Sequence, residues 1–226
     1  TSLSSILGVS DTELVFTSGS TESNNMAILG LYDHAQKTGR KHFITTSIEH
    51  KSVLEAMKRL ETLGCEVDYV APDSTGRISA EALLALVKDT TLLVSVMHIN
   101  SETGIIQPVE EIGEALSKTN VYFHVDATQS FGKLNDVIRN MKYDMLSFTA
   151  HKFGGPQGVG GLVLRRKRYK LPPITSLFCG GQQERGIRPG TTPVALIAGM
   201  TTAAELADTE CAEQQTKCAA IKQDIL

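Results

Sequence analysis

Seven short apolar runs punctuate this chain, each closed by turn residues and each separated from the next by a helix-patterned stretch. The runs are Leu14–Thr17, His42–Thr46, Glu66–Val70, Leu92–His98, Val121–Val125, Met145–Phe148 and Gly160–Leu164. Between them, Glu22–Gln36, Ser52–Leu63, Ser79–Val87 and Val109–Ser117 read as helices, and a longer one runs from Pro193 toward the C-terminus. Strand–helix alternation with continuously apolar strands predicts an α/β domain built on a largely parallel sheet flanked by helices. Ser79 and Pro108 stand where helices should begin, one as an N-cap and one as a starting proline. At 226 residues the chain can form one large domain with a real core and at most a small appendage.

Composition removes several other classes. Hydrophobic residues make up 41% and charged residues 21%, which argues against disorder, collagen and coiled coil. No apolar run approaches the roughly 20 residues of a membrane span. The opening TSLSSILGVSDTE lacks the basic and apolar regions of a secretory signal, and its initial Thr leads us to expect a missing N-terminal segment. A net charge of −3 leaves no basic footprint for nucleic acid, and with no Trp and 5% aromatics there is no base-stacking platform. Cys65, Cys179, Cys211 and Cys218 form no CxxC pair and have no zinc spacing to histidine, so they read as reduced cytosolic thiols. Cys211 and Cys218, seven apart, would share one helix face. Thr201–Leu226 is rich in Ala, Glu, Gln and Lys and reads as helix without a strong apolar stripe.

Three segments carry chemistry. In Thr17-Ser18-Gly19-Ser20-Thr21-Glu22-Ser23-Asn24-Asn25 a strand ends, a glycine turns the chain and hydroxyl residues open a helix. Free amides, the helix dipole and two hydroxyls make an anion cradle there, although a well-capped helix would have the same residues. It is neither a Walker loop nor a dinucleotide fingerprint, for it lacks GKS/GKT and has one glycine rather than three. In His124-Val125-Asp126-Ala127-Thr128-Gln129 an acid sits at the carboxyl end of a strand, where α/β folds place ligands. It could pair with a cation such as a metal or a protonated ring nitrogen, or cap the next helix. In Ser147-Phe148-Thr149-Ala150-His151-Lys152-Phe153-Gly154-Gly155-Pro156 a lysine follows a strand directly, in a tight setting where it can lose its proton and attack carbonyls. A metal centre would need several ligands, and only Asp126 is obvious, so no metal site is expected. His124 reads as a strand residue. A phosphate cradle, an acid for a ring nitrogen and a lysine 26 residues later are the handles of pyridoxal phosphate.

TSGSTESNN, IEHKS, MHINSETG, HVDATQS, SFTAHKFGGPQGVGG and ERGIRPGTTP, spread over residues 17 to 193, together resemble the cysteine desulfurases, the NifS/IscS-like group of class V aminotransferase-fold enzymes. The resemblance implies a fold type I pyridoxal phosphate-dependent transferase large domain over residues 1–200, with residues 201–226 leading toward a small domain. It implies that Lys152 forms the Schiff base with the cofactor and takes up the Cα proton. Asp126 would pair with the pyridinium nitrogen, and His50 would stack on the ring and assist proton transfer. Asn100 and Gln129 would bond the phenolic oxygen, while Ser20, Thr21, Thr149 and His151 would hold the phosphate. Thr191 would reach the phosphate of a partner subunit, which implies a homodimer. His34, His42 and His98 have no matching role and read as structural or exposed.

The implied reaction takes sulfur from L-cysteine, leaving L-alanine and an enzyme persulfide for a sulfur-acceptor or scaffold protein serving iron–sulfur clusters, tRNA thiolation or other thio-cofactors. None of the four cysteines matches the family's nucleophile, which lies further along, as does its substrate-carboxylate arginine. The 226 residues alone are therefore expected not to desulfurate. Selenocysteine lyase, another enzyme of the same fold, and a non-catalytic dimerising scaffold are the competing readings.

Overall fold

The computed structural model describes residues 2–167 and 169–225. In chain order its main elements are α1 (Ser2–Leu7), β1 (Leu14–Thr17), α2 (Ser20–Leu29), α3 (Tyr32–Thr38), β2 (His42–Thr46), α4 (Lys51–Thr62), β3 (Glu66–Val70), α5 (Ala80–Leu84) and β4 (Thr91–Met97). They continue with α6 (Val109–Leu116), β5 (Tyr122–Asp126), α7 (Asn135–Asn140), β6 (Met145–Thr149), β7 (Gly160–Leu164) and α8 (Val194–Ile225). All seven predicted strands are present, displaced by at most one residue at an end. Ser79 caps α5 through its hydroxyl, which accepts from the Ala82 amide at 3.1 Å, and Pro108 stands immediately before α6.

The seven strands form one sheet in the order β1-β7-β6-β5-β4-β2-β3. Strands β3, β2, β4, β5 and β6 run parallel, and β7 is antiparallel to both of its neighbours. Strands β2, β4 and β6 are buried at every position, which explains why they read as unbroken apolar runs. One face packs against α1, α5, α6, α7 and the start of α8 around Leu3, Ile112, Phe123, Ile138 and Met200. The other is covered by α2, α3 and α4 around Met26, Ala35, Phe43, Met57 and Leu60. The result is a three-layer α/β/α sandwich.

One predicted helix, Glu22–Gln36, is two. The break falls at Gly30, where a Cβ would lie 2.5 Å from the Ile174 side chain and 3.1 Å from the Thr175 carbonyl. The Gly30 carbonyl also accepts from the Thr175 amide at 2.9 Å, so a distant segment docks onto bare backbone and ends α2 there. The outer edge of β1 is covered by the Glu184-Arg185 turn. Glu184 accepts from the Phe16 amide at 3.1 Å and Arg185 donates to the Leu14 carbonyl at 3.0 Å, both residues holding left-handed backbone at φ 45° and 59°. Those bonds offset backbone strain of about 1–3 kcal/mol per residue and deny the edge to another strand.

Candidate active site

In a parallel sheet the strand carboxyl ends lie on one rim, and here the chemistry-bearing segments all emerge there. Ser18–Thr21 follows β1, Ser47–His50 follows β2, His98–Glu102 follows β4, Asp126–Gln129 ends β5 and Thr149–Lys152 ends β6. A cavity of about 260 Å³ opens on this rim, lined by Ser20, Thr21, His50, Asp126, Thr128, Gln129, His151 and Lys152 among others. A second lobe of about 320 Å³ shares Ser20, Thr21 and His151 with it and adds Gly19, Thr149, Gln157 and Gly158. The amine of Lys152 and the acid of Asp126, far apart in sequence, therefore face one space.

Asp126 is fixed from both sides. Its Oδ1 accepts from the Thr128 amide at 2.9 Å and its Oδ2 from Asn24 Nδ2 at 2.8 Å. Asn24 gives its other amide hydrogen to Ser52 Oγ at 2.9 Å. Ser52 Oγ lies 2.8 Å from His50 Nδ1, which also accepts the Ser52 backbone amide at 3.1 Å as the N-cap of α4. Because Nδ1 accepts that N–H, the neutral ring carries its proton on Nε2. A continuous chain of hydrogen bonds thus couples the acid to the imidazole. Beneath the site, His124 is buried between Ser95 Oγ at 2.8 Å and Ser147 Oγ at 2.9 Å. Burial drives its pKa down, against the opposing pull of Asp126, to about 4, so this ring is a neutral strut in the sheet.

The cradle begins where α2 does. First-turn amides have no intrahelical acceptor, and here the Ser20 and Thr21 hydroxyls stand beside them. Thr149 closes the lobe, its hydroxyl 3.2 Å from His151 Nδ1. The cradle can sit this low because Gly160 pairs with Thr149 and Thr17 across the sheet. A Cβ on Gly160 would come within 2.5 Å of the Phe148 carbonyl and 2.7 Å of Gly19 Cα. Glu22 also lines this lobe, and its carboxylate is engaged there: burial alone would raise its pKa, but bonds from Arg188 at 2.7 Å and from the Ser18 amide at 2.7 Å hold it below the ordinary range.

Of the ten predicted site residues, Ser20, Thr21, His50, Asp126, Gln129, Thr149, His151 and Lys152 line one lobe or both. Two do not. Asn100 is committed to its own loop, donating to the Ile48 carbonyl at 3.0 Å and accepting from the Glu102 and Thr103 amides at 2.9 Å each. Both ends of its amide are used, so it braces the wall instead of facing the cavity. Thr191 is exposed and lines neither lobe. Sequence reasoning gave no role to Asn24, Ser52, Glu49 or Lys133. The Lys133 ammonium donates to the Gln129 carbonyl at 3.0 Å and the Lys152 carbonyl at 3.1 Å, joining the two loops. Asn24, Glu49 and Ser52 lay inside the quoted motifs, but nothing in their spacing showed which side chains would meet.

The residues present fit pyridoxal phosphate. Backbone amides and hydroxyls suit a phosphate, Asp126 suits a pyridinium, and Lys152 suits an aldehyde. Thr128 Oγ1, buried and without a partner among the described residues, is left to meet a bound polar group. The whole chain, residues 1–226, matches the aminotransferase class-V family, and the protein belongs to it. Members of this family are pyridoxal phosphate enzymes.

The similarity narrows within that class. A cysteine desulfurase IscS of Serratia proteamaculans is 46% identical over 216 residues, covering 95% of this chain and 52% of that protein. A mitosomal cysteine desulfurase of Trachipleistophora hominis is 46% identical over 207 residues, covering 91% of this chain and 46% of that one. Among solved structures, DndA from Streptomyces lividans superposes with a TM-score of 0.93 at 46% identity, covering 95% of this chain and 61% of DndA. SspA in complex with cysteine superposes at 0.83 and 42% identity, covering 90% of this chain and 58% of SspA. The chain thus spans about half the length of the curated relatives it matches.

Proposed function

We propose that this chain supplies the cofactor-binding large domain of a pyridoxal phosphate-dependent cysteine desulfurase, residues 1–200 forming the domain and 201–226 a helix leading out of it. The reaction converts L-cysteine and an enzyme thiol to L-alanine and an enzyme persulfide, whose sulfur passes to an acceptor protein. The observation that carries this reading is that Lys152, Asp126, His50, Gln129 and the cradle hydroxyls open onto one rim cavity.

Once bound, the cofactor supplies an electron sink that stabilises negative charge at the substrate Cα. Lys152 Nζ would hold the cofactor through its aldehyde and, when displaced from it, would be the free amine that takes up the proton released from Cα. Asp126, held by Asn24 and the Thr128 amide, would pair with a protonated ring nitrogen. His50 presents its ring to the cavity from the start of α4. Ser20, Thr21, Thr149 and His151 would bind the phosphate, and Gln129 would bond the phenolic oxygen. Thr191, exposed outside both lobes, is free to reach a second subunit of a homodimer. None of Cys65, Cys179, Cys211 and Cys218 lines the cavity, which supports the reading that none of them is the attacking thiol and that these 226 residues alone do not turn over cysteine. We place the protein in the cytoplasm, delivering sulfur for iron–sulfur clusters or thio-cofactors.

Lys152→Ala in the intact protein tests this reading. The expected result is loss of the borohydride-reducible visible band and a fall in alanine production of at least about 10³-fold. An unchanged band in that variant overturns it.

A further inference from the structure

The mechanism above leaves one buried titratable group beside the site unused. Glu49 precedes His50, is 5% exposed, and lies in the segment joining β2 to α4. Its Oε1 accepts from the Thr46 hydroxyl at 2.7 Å and from the Met97 amide at 2.9 Å, while its Oε2 is buried without a hydrogen-bond partner among the described residues. One carboxyl oxygen therefore ties the ends of β2 and β4 together across the base of the segment that carries His50. Asn100 adds a second tie through the Ile48 carbonyl.

We propose that Glu49 is a positioning residue that anchors the Thr46–His50 segment to the carboxyl end of β4 and so fixes the His50 ring at the cavity. This rests on the cofactor reading above. The groups facing Glu49 are the Thr46 hydroxyl from β2, the Met97 amide from β4 and the Asp126 carboxylate from β5. Among the described residues no cation pairs with it. Burial foremost, with the Asp126 charge adding to it against the two donors, pushes its pKa to about 8, so at neutral pH the anchor is an uncharged carboxylic acid. An uncharged anchor fits the site, for a second charged carboxylate here would repel that of Asp126. It also makes Gln the close mimic of the working form: the amide carbonyl keeps both donors, and the NH₂ replaces the O–H.

The test compares Glu49→Gln with Glu49→Ala in the intact protein, reading cofactor affinity, cysteine turnover, and the unfolding free energy of the cofactor-free protein from about pH 5 to about pH 8.5. Between the ordinary carboxylate pKa and about 8 the unfolded chain has released the Glu49 proton and the folded one keeps it. Stability of the wild type therefore declines as pH rises through that window, relative to Glu49→Gln, in which this contribution vanishes. We expect Gln to hold turnover within roughly twofold of wild type and to lose that decline, and Ala to lower turnover roughly tenfold to a hundredfold. The proposal is overturned if Gln is as impaired as Ala, if Ala turns over normally, or if wild type and Gln share one pH slope. Should the Ala variant not fold, the Gln slope still decides. Because that slope needs no cofactor, its outcome is separable from that of Lys152→Ala.

Discussion

Helices α4 and α8 cover opposite faces of one sheet and are held in opposite ways. In its 12 residues α4 buries Val53, Ala56, Met57 and Leu60 on one stripe. In its 32 residues α8 buries only Met200 and Ala204, both near its start, and beyond them leans on polar contacts. Asp208 accepts from Arg139 at 2.5 Å and from Asn135 at 2.8 Å, while Leu206, Ile221 and Ile225 are exposed. The difference has a functional meaning. The N-terminus of α4 presents His50 to the cavity, so its stripe is a foundation for the site. Among the described residues, the distal part of α8 meets the domain through polar bonds alone, from Cys211 Sγ at 2.8 Å and from Gln215 to the Lys133 carbonyl, and its sequence is correspondingly free of periodic apolar demand.

Substitutions can break or sharpen that contrast. Leu60→Ala, which empties a fully buried position under α4, should cost about 2–5 kcal/mol in denaturant unfolding, the largest effect expected. A cost below about 1 kcal/mol would mean that α4 is no better anchored than α8. The buried part of the sheet also holds two uncharged rings, His98 just after β4 and His124 in β5, whose pKa values burial lowers to about 4. The unfolded chain protonates each near its ordinary 6.5 and the folded chain does not until about 4. Stability should therefore fall as pH drops through that window, by about 1 kcal/mol per pH unit for each ring. His124→Asn should flatten the decline in urea melts at stepped pH. A slope unchanged by that substitution would show that the strut is charged in the fold. The smallest effect belongs to α8: Ile221→Ala should stay within about 0.5 kcal/mol, because the side chain is 58% exposed. A cost like that of Leu60→Ala would reveal a covering partner for the helix.

Much of the site was legible because it is made of strand ends. A run such as SFTAHK announces a strand, its end and a lysine just beyond it, and the parallel fold then delivers every such end to one rim. Asn100 was legible as a residue of the rim but not as a brace, because its partners at Ile48 and Thr103 belong to the folded loop. Lys133 was invisible for a related reason. A lysine seven residues after Asp126 reads as surface until the fold sets the carbonyls of Gln129 and Lys152 side by side beneath it.

The sequence by itself determined the seven strands, the class of domain and the three chemical handles, since apolar runs, turn residues and helix starts are written in neighbours a few positions apart. The tertiary structure alone decided that β7 runs against its neighbours, that Gly30 splits a helix, and that Glu49 is buried between Thr46 and Met97. Those outcomes depend on which distant backbone and which charges come to lie against a residue, and water is excluded from them only once the whole sheet has closed.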